Sequence, residues 1–259
     1  MATFLSTLEA PRGQRPIIAT FVGEGGMGKT TLAASFPDPI IIRVEDGTAS
    51  ISGMSHVALT PLIHSSQGVL DALTALGTED HPFRTVVIDS VTQLNTIIES
   101  EVVASDPKAK SINQAMGGYG AGHSAVAERH RIVREYAGRL NAHKGMNVVF
   151  IAHANNEKVE LPDADPYSRY SIRMHAKSQA HYSDNVDLVG FIKLKTFTTG
   201  DSERKRAHSD GSRIITSYPT PSHISKNRFG IKRDLPFVEG ENPFAPYIPN
   251  AAPSAAQAA

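Results

Sequence analysis

A glycine-rich segment, Gly23-Glu-Gly-Gly-Met-Gly-Lys-Thr30, constrains the fold of this chain more than any other feature. It matches the pattern G-x-x-x-x-G-K-[ST] and follows an apolar, β-branched run at residues 16–22 that has the length of a buried strand. Residues 29–36 have a helical composition, and Pro37 stops the helix. A strand, a glycine loop and a helix in this order predict a phosphate-binding loop at one edge of a parallel sheet.

Each part of this loop has a chemical role in holding a nucleotide. The glycines let backbone N–H groups surround a phosphate, the Lys29 ammonium reaches the β- and γ-phosphates, and the Thr30 hydroxyl is a ligand for Mg²⁺. The predicted nucleotide-binding residues are Gly23, Glu24, Gly25, Gly26, Met27, Gly28, Lys29, Thr30 and Thr31. They imply ATP and Mg²⁺ as cofactors, and the alternative is a glycine-rich turn that matches the pattern by chance.

The rest of the chain continues to alternate between apolar strands and helices. Further strands are predicted at residues 40–44, 85–89 and 147–152, with helices that begin at Ser90 and cover residues 125–143. These strands lack apolar–polar alternation, so we expect them to be buried on both faces. Residues 185–196 and 212–218 predict a hairpin with a polar tip. The expected fold is α/β, with a mostly parallel central sheet flanked by helices and with antiparallel strands near the C-terminus.

Two acidic residues follow predicted strands at positions suited to nucleotide chemistry. Asp89 ends an apolar strand, where a carboxylate can hold the metal ion through water, and Glu45 follows the second strand, where it can orient an attacking water. Because the carboxyl ends of parallel strands share one edge of a sheet, we expect both acids near the glycine loop. In the alternative interpretation, Asp89 caps the next helix, which Ser90 could equally do, and Glu45 belongs to a solvated turn.

Composition narrows the class of protein. The 259 residues include no cysteine, which excludes a disulfide framework and a cysteine-based zinc site, and the 11 histidines show no ligand spacing, so Mg²⁺ is the only metal implied. The sequence shows no secretory signal and no long apolar run, which predicts a cytoplasmic protein without a membrane partner. The 26 basic and 26 acidic residues cancel, but residues 193–233 hold a basic surplus that suits a phosphate-bearing ligand.

Four features together resemble one family of ATPases. They are Glu45 after the second strand, Asp89 after the third, His153 after the fourth and the segment Lys226-Asn227-Arg228-Phe229-Gly230. The last segment matches the KNRFG signature of bacterial RadA. With these four features together, the chain resembles a RecA/RadA-type core ATPase. More narrowly, residues 16–238 resemble the phage-encoded RecA-like ATPases that act as single-strand annealing proteins or minimal recombinases.

The resemblance implies roles that the glycine loop alone does not. Lys226 and Arg228 would reach across a subunit interface and neutralise charge at a neighbour's γ-phosphate, so that the catalytic residues are Glu45, Lys29, Lys226 and Arg228. His153 would sense the γ-phosphate and join the nucleotide-binding set. The protein would form a homo-oligomer, as a ring or a filament, with ATP between protomers. The alternatives are a basic loop paired with surface acids and a strand-end histidine with a structural role.

Basic and aromatic residues interleave in the segment that follows His153. Residues 154–183 are predicted to form a long loop, and the corresponding loop of RecA-like proteins contacts single-stranded DNA. The predicted DNA-binding residues are Arg169, Tyr170, Arg173 and Lys177. The glycine-rich residues 116–122 form either a second DNA loop or a link between helices, and the basic tip at residues 204–206 is a further candidate for DNA phosphates.

Together these features predict a Mg²⁺-dependent ATPase that is stimulated by DNA and promotes strand annealing or recombination. Its expected partners are single-stranded DNA and further copies of itself, with a single-strand DNA-binding protein as a candidate third. Two alternatives are a nucleotide-switched DNA-binding or loader module with negligible hydrolysis and a RadA/DnaB-like motor ATPase. A partition-type ATPase is disfavoured because Glu24 stands where that class has a lysine, and a nucleotide kinase would leave residues 226–230 without a role.

The predicted domain organisation has three parts. A short lead occupies residues 1–15, the RecA-like ATPase core occupies residues 16–238, and a tail rich in Ala, Pro and Ser occupies residues 239–259. The composition of the tail predicts disorder. If the protein is phage-encoded, the resemblance implies that it acts in the host cytoplasm.

Overall fold

The apolar runs of the first 160 residues form a parallel sheet. The computed structural model of the chain describes residues 15–199 and 206–249. Strands β1 (Ile18–Gly23), β2 (Pro39–Arg43), β3 (Ala58–Leu59), β4 (Thr85–Asp89) and β5 (Asn147–Leu161) pair in parallel in the order β3-β2-β4-β5-β1. These ranges confirm the four predicted strands. Their continuous Val and Ile runs suit positions that are buried on both faces of a sheet.

Helices cover both faces of this sheet. The described residues include α1 (Lys29–Ala34), α2 (Ser66–Thr78), α3 (Val91–Ala104), α4 (Ala121–Lys144) and α5 (Ala176–Ser183). Helix α1 packs on one face, where Leu32 and Phe21 belong to the same buried cluster. The other helices pack on the opposite face through buried residues that include Leu73, Leu94, Val133 and Tyr182. None of the helices in the described ranges is long and apolar enough to cross a membrane.

Antiparallel strands extend the sheet beyond β1. Strand β7 (Leu188–Thr199) pairs with β1 in parallel, and β8 (Arg206–Thr216), β9 (Lys226–Asn227) and β10 (Leu235–Phe237) continue the sheet by antiparallel pairing. The full order is β10-β8-β7-β1-β5-β4-β2-β3, with β9 beside β7. The predicted α/β class and C-terminal hairpin are therefore confirmed, although both hairpin strands run further into the polar tip than expected.

The prediction of a long loop at residues 154–183 is wrong. Strand β5 continues to Leu161, and the chain returns as β6 (Ala164–Ile172) in an antiparallel pair before α5 begins. Much of this hairpin is exposed, and its cross-strand pairs include Glu157 opposite Arg169. Because neither face carries a continuous apolar row, the sequence shows no strand periodicity at this position.

The disordered tail predicted from residue 239 needs a correction for residues 239–249. Phe244 is fully buried, and its ring centroid lies 5.3 Å from that of Phe21. Ile248 is buried in the same cluster, and a 3-10 turn, Ala245–Tyr247, joins the two residues. A few apolar side chains hold this proline-rich segment on the core, which average composition does not indicate. The remaining tail, residues 250–259, lies outside the described residues, as do residues 1–14, Arg204 and Lys205.

Candidate nucleotide-binding site

The carboxyl ends of four neighbouring strands bring most of the predicted site residues together. The parallel register places Gly23 of β1 beside His153 of β5, and Arg43 of β2 beside Asp89 of β4. Glu45 follows β2, and its N–H donates to the Asp89 carbonyl at 3.1 Å. The glycine loop, both acids and His153 therefore share one edge of the sheet, although they are far apart in sequence.

The glycine loop holds a desolvated cation. Gly26 and Gly28 have φ values of 75° and 86°, a region that glycine adopts without strain. Lys29 is 6% exposed, and its ammonium donates to the carbonyls of Gly23 at 3.1 Å and Glu24 at 2.7 Å. Burial lowers the pKa of Lys29, and the nearby acids oppose this shift. Residues 24–26 form the exposed top of the loop, with Met27 partly buried and Thr31 buried behind it. A buried ammonium in such a loop is placed to bind phosphate.

The Thr30–Asp89 pair fits a Mg²⁺ ion. Thr30 Oγ1 donates to Asp89 Oδ2 at 2.7 Å, whereas the buried Oδ1 of Asp89 has no hydrogen-bond partner among the described residues. Burial raises the pKa of Asp89 to about 6, against the hydrogen bond from Thr30. Mg²⁺ is usually held by one or two carboxylates together with substrate phosphates and water. In the described part of the chain, no group of three or more His, Cys, Asp or Glu residues could hold a metal.

Ser90, rather than Asp89, caps helix α3. Its Oγ accepts a hydrogen bond from the Gln93 N–H at 3.2 Å and donates to Glu45 Oε2 at 3.0 Å. The peptide bond between Asp89 and Ser90 is cis. Because Ser90 supplies the cap, the Asp89 carboxylate is not used in capping and is available to hold a metal ion.

Glu45 is tied to His153 and does not belong to a solvated turn. His153 Nε2 lies 3.0 Å from Glu45 Oε1. Burial raises the pKa of Glu45, but the hydrogen bonds from His153 and Ser90 and the charge of Lys29 outweigh it, so the pKa lies below its ordinary value. The next residue, Asp46, is by contrast 74% exposed and pairs with Arg43. Glu45 is thus an ordered carboxylate, and His153 contacts this carboxylate rather than the glycine loop.

Lys226 and Arg228 lie at the opposite, amino-terminal edge of the sheet. The Arg228 N–H donates to the Asp187 carbonyl, and the Asp187 N–H donates to the carbonyl of Ile18, the first residue of β1. The glycine loop begins at the other end of β1, about 16 Å away at 3.3 Å per residue. These two cations are therefore not brought to the nucleotide site of their own protomer. Arg228 Nη1 lies 2.9 Å from the Asp187 carboxylate, and the Lys226 ammonium donates to the Asp184 carbonyl.

The four predicted DNA-binding residues have different surroundings. Arg169 pairs with Glu157 on the β5–β6 hairpin at 2.6 Å. Tyr170 is 37% exposed and stacks on Phe191 with a centroid distance of 5.2 Å. The exposed Arg173 donates its N–H to the His153 carbonyl at 2.9 Å, and the Lys177 ammonium donates to Ser124 Oγ at 2.8 Å. Arg173 therefore lies next to the nucleotide site, whereas Lys177 lies against helix α4.

Two residues beside the glycine loop have no counterpart in the sequence analysis. Arg213 of β8 and Phe237 of β10 both lie against Gly28. Arg213 falls within the basic residues 193–233, which was the one signal that pointed to it, and the apolar Phe237 carries no signal at all. Their proximity depends on strand pairing across most of the chain.

Comparison with known proteins identifies the family. Residues 15–229 match the AAA domain family. Among solved structures, the RadB recombinase is similar to this chain, with a TM-score of 0.46 and 14% identity over 88% of this chain and 90% of that chain. No curated protein matches the chain in sequence. Since the matched residues span most of the sequence and contain the glycine loop, Glu45, Asp89 and His153, the chain belongs to the AAA domain family of nucleotide-binding ATPases.

Proposed function

We propose that the protein binds ATP with Mg²⁺ at the glycine loop, hydrolyses it, and uses this reaction in single-stranded DNA annealing or recombination as a homo-oligomer. One observation carries the proposed ATP binding and hydrolysis: a single sheet edge holds the buried ammonium of Lys29, the Thr30–Asp89 pair with its unpartnered carboxylate oxygen, and the Glu45–His153 pair. This set contains a phosphate-binding group, a metal-holding pair and a carboxylate that can order water.

Each group of the nucleotide site has a separate role in ATP hydrolysis. Loop N–H groups and Lys29 bind the phosphates, and Thr30 with Asp89 would hold Mg²⁺, which neutralises charge on the β- and γ-phosphates. Glu45 orients a water for in-line attack on the γ-phosphorus. The new bond joins the water oxygen to phosphorus, the bond to the β,γ-bridging oxygen breaks, and the water proton passes to Glu45 or to the released phosphate. His153 fixes the direction of the Glu45 carboxylate through the contact at 3.0 Å.

His153 also connects the nucleotide site with the β5–β6 hairpin. Its carbonyl accepts the Arg173 N–H at 2.9 Å, and its side chain contacts Glu45. A change in the position of His153 when a γ-phosphate binds would therefore move the strand end that carries Arg173. This connection supports the sensor role of His153.

An exposed aromatic residue and nearby basic groups support contact with single-stranded DNA. Tyr119 is fully exposed in the glycine-rich segment before α4. His123, in the first turn of α4, stacks on His175 with a centroid distance of 4.2 Å, and Lys177 bonds to Ser124. The glycine-rich segment thus lies beside residues 175–177. Bases stack on aromatic rings while cations bind the phosphates, a combination that suits single strands.

The position of Lys226 and Arg228 supports active sites that are completed by a neighbouring protomer. Both residues lie at the amino-terminal edge of the sheet, away from their own glycine loop. If the amino-terminal edge of one copy faces the carboxyl edge of the next, these cations reach the neighbour's γ-phosphate. Repetition of this contact produces a ring or a filament.

Hydrolysis rates measured over a range of protein concentration test the proposal. We expect the rate per protomer to rise with concentration and to rise again when an oligothymidylate single strand is added, with Lys29→Ala as the inactive control. A rate that does not depend on concentration contradicts completion by a neighbour, and a rate that does not depend on DNA contradicts the coupling. Tight ATP binding with no turnover under any condition would favour the nucleotide-switch alternative.

A further inference from the structure

The C-terminal strands form a wall beside the glycine loop. Arg213 of β8 and Phe237 of β10 are direct partners in the antiparallel register. A β-carbon on Gly28 would clash with Arg213 Nη1 and would lie 2.7 Å from Phe237 Cε1. Arg213 Nη1 also donates to the Met27 carbonyl at 3.4 Å. Both side chains therefore approach the loop at a distance that only a glycine at position 28 allows.

Arg213 presents a flat cationic surface at this wall. Its Cζ lies 4.7 Å from the centroid of the Phe237 ring, and Phe237 is 5% exposed. The Arg213 side chain remains 25% exposed, and Glu239 Oε2 lies 3.8 Å from its Nη2. A guanidinium that stacks on one aromatic ring can stack on a second with its other face, and nucleobases are such rings.

The strand order determines on which side of the loop a nucleobase can lie. Asp89 ends β4 and Glu45 follows β2, on one side of β1, whereas Arg213 and Phe237 lie on β8 and β10, on the other side. In the hydrolysis proposed above, the γ-phosphate lies near the two acids. The remainder of the nucleotide would then extend from the loop in the opposite direction, toward β8 and β10.

We propose that Arg213 and Phe237 form the nucleobase subsite, with the base stacked on the exposed face of the Arg213 guanidinium and Phe237 supporting the other face. The inference rests on the nucleotide binding proposed above and assigns residues to the part of the ligand that the glycine loop does not hold. Stacking on a planar cation requires no hydrogen bonds to the base edge.

The dissociation constants of ATP and of inorganic triphosphate, both with Mg²⁺, test the subsite. Triphosphate keeps every contact with the glycine loop and has no base. We expect Arg213→Ala to weaken ATP binding about tenfold and to change triphosphate binding by less than about twofold. Equal losses for both ligands would show that Arg213 braces the loop or contacts phosphate, and no loss for either would show that it does not contact the nucleotide. Both results would overturn the inference.

Two further variants separate stacking from charge. Arg213→Lys keeps the positive charge but removes the plane, so we expect the same selective loss for ATP, whereas wild-type affinity would contradict stacking. The matched control is Arg139→Ala on α4, since Arg139 also lies over an aromatic ring, that of Tyr136 at 5.2 Å, and pairs with an acid. A wild-type protein that binds neither ATP nor triphosphate would contradict the proposed function itself. That outcome differs from one in which both ligands bind and Arg213→Ala changes nothing.

Discussion

The two edges of the central sheet differ in how their charged groups are satisfied. At the amino-terminal edge, Asp187 is 5% exposed in its side chain and pairs with Arg15 at 2.6 Å and Arg228 at 2.9 Å, and its other oxygen accepts the Ile18 N–H. At the carboxyl edge, Asp89 keeps a buried oxygen without a partner among the described residues. The carboxyl edge therefore has capacity for a ligand, whereas cations of the amino-terminal edge can serve a neighbour only by exchanging their present contacts.

The largest expected effect tests whether the amino-terminal edge acts on another protomer. We expect Arg228→Ala to reduce ATP hydrolysis about 1,000-fold, because arginines that neutralise a transferred phosphoryl group have effects of this order. Arg15→Ala is the matched control, since Arg15 pairs with the same Asp187 carboxylate. Rates are compared at one protein concentration.

The hydrolysis rates of mixed oligomers show why the Arg228→Ala variant loses activity. Lys29→Ala protomers lack a working loop but present an intact Arg228, so we expect their mixture with Arg228→Ala protomers to recover part of the activity. If the mixture stays inactive and Arg15→Ala reproduces the loss, Arg228 supports the fold through Asp187 and does not act on a neighbour.

A smaller effect concerns the step at the carboxyl edge that follows binding. We expect Glu45→Gln to reduce turnover about 100-fold, the usual scale for a residue that positions or accepts a proton, and to leave ATP affinity within about twofold. Rapid-quench measurements with bound ATP report turnover, and fluorescence titration reports binding. Unchanged turnover would remove Glu45 from the reaction and favour a protein that uses ATP as a switch.

The pH dependence of stability tests the unpartnered oxygen of Asp89 without any assay of activity. The pKa of Asp89 in the folded protein, about 6, exceeds the ordinary value of 3.8, so the folded state binds this proton more tightly and the contribution of Asp89 to wild-type stability falls as pH rises through this window. Asp89→Asn removes this dependence. In metal-free buffer, the free energy of unfolding of Asp89→Asn should gain about 2 kcal/mol relative to the wild type between pH 4 and pH 6. Denaturant unfolding of both proteins measures the difference, with the exposed Asp46→Asn as control.

The Lys177→Ala variant has the smallest expected effect and tests whether the carboxyl edge also binds DNA. We expect Lys177→Ala to weaken binding of all single-stranded sequences and to reduce the slope of log affinity against log salt by about 0.7, as the loss of one phosphate contact does. Lys144→Ala, at the other end of α4, is the control. An unchanged slope for Lys177→Ala would remove this residue from the DNA path.

The contrast between the two edges also explains what could be predicted from the sequence. The apolar runs that precede Asp89 and His153 are continuous and rich in Val and Ile, and the glycine loop has a fixed pattern, so the carboxyl edge could be predicted from the sequence. The β5–β6 hairpin could not be predicted, because its exposed residues show no regular alternation of apolar and polar side chains. The contact of Arg213 with Met27 could not be predicted either, because these residues lie 186 positions apart and meet only through the pairing of β1 with β7 and of β7 with β8.

The buried position of Phe244 determines where this chain can be shortened. A cut after residue 238 would follow the change in composition, but it would remove an aromatic side chain that packs on Phe21 of β1, two residues before the glycine loop. The loss of a buried phenylalanine costs about 3–5 kcal/mol, a large share of the roughly 5–15 kcal/mol that stabilises a typical domain. Asn242 would also be lost, whose side-chain amide donates to the Ser35 carbonyl at the end of α1. Proteolytic trimming that stops beyond residue 249 should therefore leave a folded nucleotide site, whereas trimming to residue 238 should loosen the support of the loop itself.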